Sequence, residues 1–361
     1  MPVLRVKRPE GERVSRKDRC RNVPSTRSSA QQPHLVVKIF LTYKSVSPIL
    51  PTTKSKFLSM DYKNKYEAKE YFIDYHEMLE RSDLDVVNIC TPSGMHAEMG
   101  IAAAKAGKHV IVEKPMALSL KDADDLIRAC DENGVKLAVC FQNRFNPSVQ
   151  KLRKALEEGR FGKLTHGSAV VRWFRPQEYY DQASWRGTWA MDGGCLMNQA
   201  IHNIDLLQWM MGPVESVFGY TATNLRKIET EDVGVAVLKF KSGALGVIEA
   251  STTIYPENLE ETLAIFGEKG TVVLGGIAVN KIETWKFADS HEENGDLEKH
   301  QQDVPNVYGF GHNALIEDFI QAVINNRKSY IDGREGKKAL EVVLSIYQTV
   351  KTKKESRFPL S

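Results

Sequence analysis

The chain has 361 residues, 42% of them hydrophobic, with 49 Lys+Arg against 46 Asp+Glu. That length and apolar share suffice for two domains with buried cores; no run of about 18 apolar residues offers a membrane span, and no apolar stretch follows the basic start as in a secretory leader. The charge is uneven, since residues 1–60 hold 13 Lys+Arg and 3 Asp+Glu, yet this stretch has neither helical periodicity nor interleaved aromatics, so it reads as disorder and neither nucleic acid nor membrane is expected as a partner.

Leu35–Leu41, "LVVKIFL", is strand-like. No phosphate-binding loop follows it, because Pro48 and Pro51 interrupt the next helix and residues 1–93 contain one glycine, Gly11. The G-x-G-x-x-G that opens a dinucleotide-binding sheet therefore has no place there. From about residue 66 the pattern becomes regular. A short helix is predicted over Tyr75–Arg81, a strand over Leu84–Cys90 and a turn at Thr91-Pro92-Ser93-Gly94. An Ala-rich helix over His96–Ala106 closes at Gly107, and Val110–Val112 is the next strand. Ser119 caps a helix over Leu120–Glu132 with Gly134 just past its end, and Val135–Phe141 is a third apolar run. Strands alternating with helices imply right-handed βαβ units and a parallel sheet covered on both faces.

A helix is predicted from Pro147 to about Glu158, after which the texture changes. Strand-like runs follow one another at Leu164–Arg175, Val214–Thr223, Val233–Lys241, Leu245–Thr253, Leu263–Phe266 and Thr271–Leu274, with a hairpin at Lys241-Ser242-Gly243. Two helices, Asn313–Asn325 and Gly336–Val350, close the chain. The fold class is α/β followed by α+β: a Rossmann-like parallel-sheet domain, then a domain with an open, mostly antiparallel sheet. Segment 1–62 is read as disordered or mistranslated, 63–145 as the remainder of the dinucleotide-binding domain, 146–335 as the substrate and oligomerisation domain, and 336–361 as a helix packing back near the first. Cys20, Cys90, Cys130, Cys140 and Cys195 have no CxxC spacing, so free thiols of a reducing cytoplasm are expected, and no metal.

A ligand of an open parallel sheet sits beyond the carboxyl ends of its strands. Three strand ends carry Thr91-Pro92-Ser93, Glu113-Lys114-Pro115 and Gln142-Asn143-Arg144 and should converge on one crevice. Pro115 forces Lys114 into extended geometry, which favours a positioned side chain over a snorkelling one. A second constellation lies in "WRGTWAMDGGCLMNQAIHNIDLLQW", residues 185–209. A helix is predicted from Leu196 or Met197, placing Asn198, His202 and Asp205 on one face at i, i+4 and i+7. The stripe reads as a general acid/base His202 oriented by Asp205, with Asn198 on substrate, or as a polar network between domains. Upstream, alternation puts Arg172 with Phe174 on one face and Trp173 with Arg175 on the other. With Tyr179 and Tyr180 nearby, they suit a carboxylate, a phosphate or a stacked base, or form an ordinary half-exposed strand.

Cys90–His96 ("CTPSGMH"), Val112–Pro115 ("VEKP"), Asn143–Phe145 ("NRF") and Gly193–Asp205 ("GGCLMNQAIHNID") together resemble the Gfo/Idh/MocA oxidoreductases, from about residue 64 to the end. Residues 172–194 and 197–209 resemble more narrowly the UDP-N-acetylglucosaminuronate dehydrogenases, which oxidise the 3-hydroxyl of the sugar. The family often has Asp where this chain has Asn198, and that subgroup has Asn. The resemblance implies NAD, or equally NADP, as cofactor, lined by Thr91, Pro92, Ser93, His96, Glu113, Lys114, Gln142, Trp185 and Arg186. It implies Lys114, His202 and Asp205 as catalytic residues, and Lys114, Arg144, Arg172, Arg175, Tyr179, Asn198, Gln199 and His202 around a nucleotide sugar. It further implies a cytoplasmic homodimer or homotetramer serving surface-polysaccharide synthesis. The alternatives are another sugar or inositol dehydrogenase of the family, or a chain inactive for want of the phosphate loop, whose region would hold a frameshift or gene-model error.

Overall fold

The computed structural model describes residues 72–289 and 309–360, the strand Ile39–Thr42, and Glu70, 297–301, 303–304 and 307. The readings made for the rest of segment 1–62, disorder and Cys20 included, lie outside these residues.

In the first domain β1 (Ile39–Thr42), β2 (Val86–Ile89), β3 (His109–Val112) and β4 (Leu137–Val139) form a parallel sheet in the order 1-2-3-4. β1 runs beside β2 with Ile39 opposite Val86. Helix α1 (Tyr75–Leu79) is capped by Asp74, whose carboxylate accepts from the His76 N–H at 2.9 Å. α2 (His96–Lys105) links β2 to β3, and α3 (Leu120–Glu132) links β3 to β4. Ser119 Oγ accepts from the Asp122 N–H at 3.1 Å, the cap its position promised. α2 and α3 pack closely at Gly100, where a Cβ would stand 2.6 Å from Leu126 Cδ1.

α4 (Pro147–Glu157) leads to an eight-stranded sheet, order β11-β10-β9-β5-β8-β7-β6-β12. Its strands are β5 (Leu164–Arg172), β6 (Val214–Ala222), β7 (Val233–Phe240), β8 (Leu245–Ser251), β9 (Glu260–Gly267), β10 (Gly270–Gly275), β11 (Lys281–Phe287) and β12 (Ser356–Arg357). Neighbours are antiparallel except β5 and β8. The hairpin between β7 and β8 turns at Gly243, φ +87°. β11 and β12 were not predicted: β11 is a half-exposed edge without apolar alternation, and β12 has two residues.

α5 (Gln177–Asp181) follows β5, and α6 (Ile201–Met211) lies on the inner face of the sheet against β5 and β9. α7 (Gly311–Ile324) packs on the 3-10 turn Gln142–Phe145. α8 (Gly333–Thr352) lies against α3 and β4 on one side and α6 and β6 on the other, so one helix seals both domains. Gly336 lets it approach, since a Cβ there would stand 2.4 Å from Val139 Cγ2. The opposite face of the large sheet carries exposed Tyr220, Val235, Val237, Leu245 and Val247. Cys130, Cys140 and Cys195 are buried free thiols, and Cys90 is half-buried.

Candidate active site at the domain junction

The three strand exits do converge. Glu113 N–H donates to Ile89 O at 2.9 Å, which ties the end of β3 to β2 and delivers Lys114, across a cis peptide to Pro115, to the junction. Lys114 Nζ donates to the main-chain oxygen of Asn198 at 2.6 Å and to its Oδ1 at 3.4 Å. The lysine of one domain thus holds the turn that precedes α6 in the other.

That turn departs from the predicted helix. Regular α-helix begins at Ile201. Between Gly194 and Ala200 the chain mixes i→i+4 and i→i+5 bonds: Asn198 N–H reaches Gly194 O at 2.8 Å, while Ala200 N–H reaches Cys195 O at 2.8 Å. Asn198 therefore sits before the helix rather than on its face. Its amide donates to Asp192 Oδ1, and Asp192 Oδ2 takes the Gly187 N–H at 2.8 Å. Burial pushes the Asp192 carboxyl above its ordinary value, and these two donors oppose the shift. His202 is buried on α6, edge-on to Phe141 with ring centroids 5.7 Å apart. Gln199 is buried in the same turn.

Four side chains are placed otherwise than expected. Arg144, given to substrate, is 1% exposed. Its Nε and a terminal nitrogen each donate to Asp205 at 2.7 Å, a third nitrogen reaches Glu335 at 3.1 Å, and its guanidinium lies 4.7 Å from the Trp209 ring centroid. Asp205, given to His202 as an orienting partner, spends both oxygens on Arg144. The pair is a strut joining the Gln142–Phe145 turn, α6 and α8. Arg172, also given to substrate, points to the outer face of the sheet, where Glu249 takes two of its nitrogens at 2.6 Å and Glu260 takes a third. His96, given to the cofactor, is buried with Nδ1 2.7 Å from Pro115 O and Nε2 2.8 Å from Thr91 O. It ties two strand-exit loops together from behind.

In the second domain, Tyr179 lies between two guanidiniums, Arg175 at 5.4 Å and Arg186 at 4.3 Å from its ring centroid. Arg175 also covers Trp173, and Arg186 covers Trp185. Arg186, Gly187, Thr188, Ile228 and Glu229 line a cleft of about 440 Å³ beside them.

Whether a nicotinamide cofactor suits these residues can be judged from buried polar atoms. Thr91 Oγ1 and Gln142 Oε1, at the exits of β2 and β4, and Arg186 Nε, across the junction, are buried without a hydrogen-bond partner among the described residues. Such atoms are costly unless a ligand or water satisfies them. The Ser93–Met95 turn packs directly on the second domain: Gly94 N–H donates to Met191 O at 3.1 Å, and a Cβ on Gly94 would lie 2.2 Å from Ala190 O. The nicotinamide half of a dinucleotide fits this junction. A loop for its pyrophosphate would fall before residue 70, almost wholly outside the described residues.

Sequence reasoning missed Glu261 on β9. Its carboxyl is 2% exposed, Oε1 accepts from Asn143 Nδ2 at 3.3 Å, and Oε2 has no partner among the described residues. Burial pushes it up to about 8 against the pull of the Lys114 ammonium. The clue was available, because alternation puts residues 261, 263 and 265 on one face and the other two are buried Leu263 and Ile265. A folded-state value above the ordinary 4.5 means that the folded protein holds the proton longer. The contribution is complete below about 4.5 and lost as pH rises through about 8. Thermal stability should therefore fall across that window in the parent protein, and Glu261→Gln should flatten the fall. Melting curves at a series of pH values check this; parallel curves for the two proteins would refute it.

A family model described as the oxidoreductase family, NAD-binding Rossmann fold, matches residues 42–141, starting upstream of residue 64. The GFO/IDH/MocA C-terminal domain matches residues 149–273. The structure of the WlbA dehydrogenase from Bordetella pertussis in complex with NADH and UDP-GlcNAcA is 43% identical, with TM-score 0.81, over 85% of this chain and 88% of that one. The corresponding enzyme from Chromobacterium violaceum, also with NADH and UDP-GlcNAcA, is 40% identical, with TM-score 0.79, over 85% and 86%. Myo-inositol 2-dehydrogenase of Thermotoga maritima is 29% identical over 289 residues, 77% of this chain and 81% of that protein.

Proposed function

The chain belongs to the GFO/IDH/MocA family and is an NAD-dependent oxidoreductase, and from there we propose that it oxidises the 3-hydroxyl of a UDP-linked N-acetyl-aminosugar uronate, in a cytoplasmic route to surface-polysaccharide precursors. The observation that carries the substrate class is Tyr179 held between Arg175 and Arg186 beside Trp185. Paired guanidiniums on aromatic faces suit a phosphorylated, base-bearing ligand better than a neutral polyol. The two WlbA structures with bound UDP-GlcNAcA support the same reading.

Thr91, Pro92, Ser93, Glu113 and Gln142 would hold the cofactor from one domain, and Trp185 and Arg186 from the other. NAD, when bound, supplies the hydride acceptor. His202 takes the hydroxyl proton. The Lys114 ammonium, fixed by Asn198, stabilises the negative charge that develops on that oxygen. Asn198 and Gln199 orient the sugar, and Arg175 and Tyr179 hold the nucleotide. The apolar outer face of the large sheet, with Val237 57% exposed, supports self-association as a homodimer or homotetramer.

The test is a turnover screen that follows NADH formation with UDP-GlcNAcA, free N-acetylglucosamine and myo-inositol. UDP-GlcNAcA is expected to lead in kcat/KM by at least about a hundredfold, because buried polar groups built for missing substrate groups are left unpaired. A lead for myo-inositol would replace this reading with that of a polyol dehydrogenase.

A further inference from the structure

Behind the turn that carries Asn198 and leads into the His202 helix lies a buried acid that the reaction does not use. Glu231, just ahead of β7, is 2% exposed. One of its carboxylate oxygens accepts from both the Leu196 N–H and the Tyr347 hydroxyl, each at 2.9 Å. Its main-chain oxygen accepts from the Cys195 N–H at 3.0 Å. Its other carboxylate oxygen is buried without a partner among the described residues and lies so close to Gly194 that a Cβ there would stand 1.8 Å away. Residues 194–196 are thus moulded onto this carboxylate. Tyr347 comes from α8, the helix that seals both domains. Its ring meets Trp189 edge-on at 5.2 Å, and Trp189 lies in the loop between Arg186 and Asp192.

We propose that Glu231 and Tyr347 are positioning residues for the reaction: together they lock the 194–200 turn to α8 and so fix where Asn198 and His202 stand. The main-chain oxygen that holds Lys114 belongs to this turn, so its register also sets the lysine. A single carboxylate oxygen with two donors makes a stiff anchor, since hydrogen bonds to a charged acceptor are about twice as strong as neutral ones. The anchor is sensitive to protonation. Burial pushes the Glu231 carboxyl up to about 7, against the Leu196 N–H and the Tyr347 hydroxyl. The titratable groups around it are Asp232 beside it, Cys195 on the turn and Tyr347 on α8. As pH falls through about 7 the acceptor is neutralised and the turn loosens.

The inference rests on the proposed dehydrogenase reading, and the experiment separates the two. Tyr347→Phe keeps the ring against Trp189 and removes one donor; Glu231→Gln keeps the shape and removes the titration. With the full-length enzyme and UDP-GlcNAcA, Tyr347→Phe should lower kcat about tenfold, as expected for one lost hydrogen bond to a charged group, with little change in the affinity for NADH measured by calorimetry. In the parent enzyme kcat should fall as pH drops through about 7, where the Glu231 carboxylate takes its proton. In Glu231→Gln this part of the pH dependence should be absent. Retained NADH affinity shows that each variant is folded. An inactive parent enzyme would defeat the dehydrogenase reading. An active parent whose kcat and pH dependence are matched by both variants would overturn the role given to Glu231 and Tyr347.

Discussion

Lys114→Met and His202→Ala are each expected to lower kcat by about a thousandfold, within the range lost when a general base or an oxyanion donor is removed. In the proposed reaction the two side chains act on the same oxygen from different domains. Lys114 arrives at the end of β3, held by Asn198 O at 2.6 Å, and His202 arrives on α6, with Phe141 edge-on to its ring. The losses should not add: once the proton acceptor is gone, charge on the hydroxyl oxygen no longer develops for the ammonium to stabilise. The double variant should therefore be about as slow as the slower single one. Methionine retains most of the lysine's length but not its hydrogen bond to Asn198 O, so melting temperature should fall modestly while NADH affinity changes little. Stopped-flow turnover at saturating substrate checks this, and activity within tenfold of the parent in either variant would remove that residue from the chemistry.

Asp205→Ala is expected to unfold the protein more readily by about 3–5 kcal/mol, the usual cost of leaving one partner of a buried ion pair without the other. Arg144 is 1% exposed and gives two nitrogens to Asp205 at 2.7 Å. Burial alone would disfavour its charge; Asp205 and then Glu335 reverse this and hold the guanidinium above its ordinary value. Without Asp205 the guanidinium keeps Glu335, which is partly exposed to solvent. The combined change Arg144→Met with Asp205→Leu should lose less than Asp205→Ala alone, because matched apolar groups pay no desolvation. Chemical denaturation measures both. The same variants separate strut from catalyst: a residue that merely orients His202 would lower kcat at constant stability when changed to Asn, whereas Asp205→Asn should cost stability first.

The parallel domain was legible because its signals are local. Ser119, the Leu120–Glu132 helix and Gly134 each report on a few neighbouring residues, and the structure repeats them. Lys114 was legible for the same reason, as a cation between an apolar strand and a proline. The roles of Arg144, Arg172 and Asp205 were not. An arginine at a strand exit looks alike whether it meets a substrate or a carboxylate some 61 positions away in the sequence, and only the folded chain decides. The start of α6 was misread because the Gly194–Ala200 turn carries helical spacing while its hydrogen bonds mix i→i+4 with i→i+5. β11 gave no warning, being an edge with little to bury. Glu261 was in plain view, an acid in register with inward-facing Leu263 and Ile265, whereas Glu231 was not, since Glu229 is exposed and Val233 only half-buried.

The grip on Lys114 has a consequence for how such a site can diversify. Its short contact is to the backbone of residue 198, which every amino acid possesses, while the side chain at 198 makes only the longer contact at 3.4 Å. Exchange of Asn for Asp there leaves the main-chain mooring in place, but it replaces the amide that donates to Asp192 with a second carboxylate facing the first. A change of charge at position 198 thus spares the lysine and falls instead on Asp192, whose buried carboxylate loses a donor.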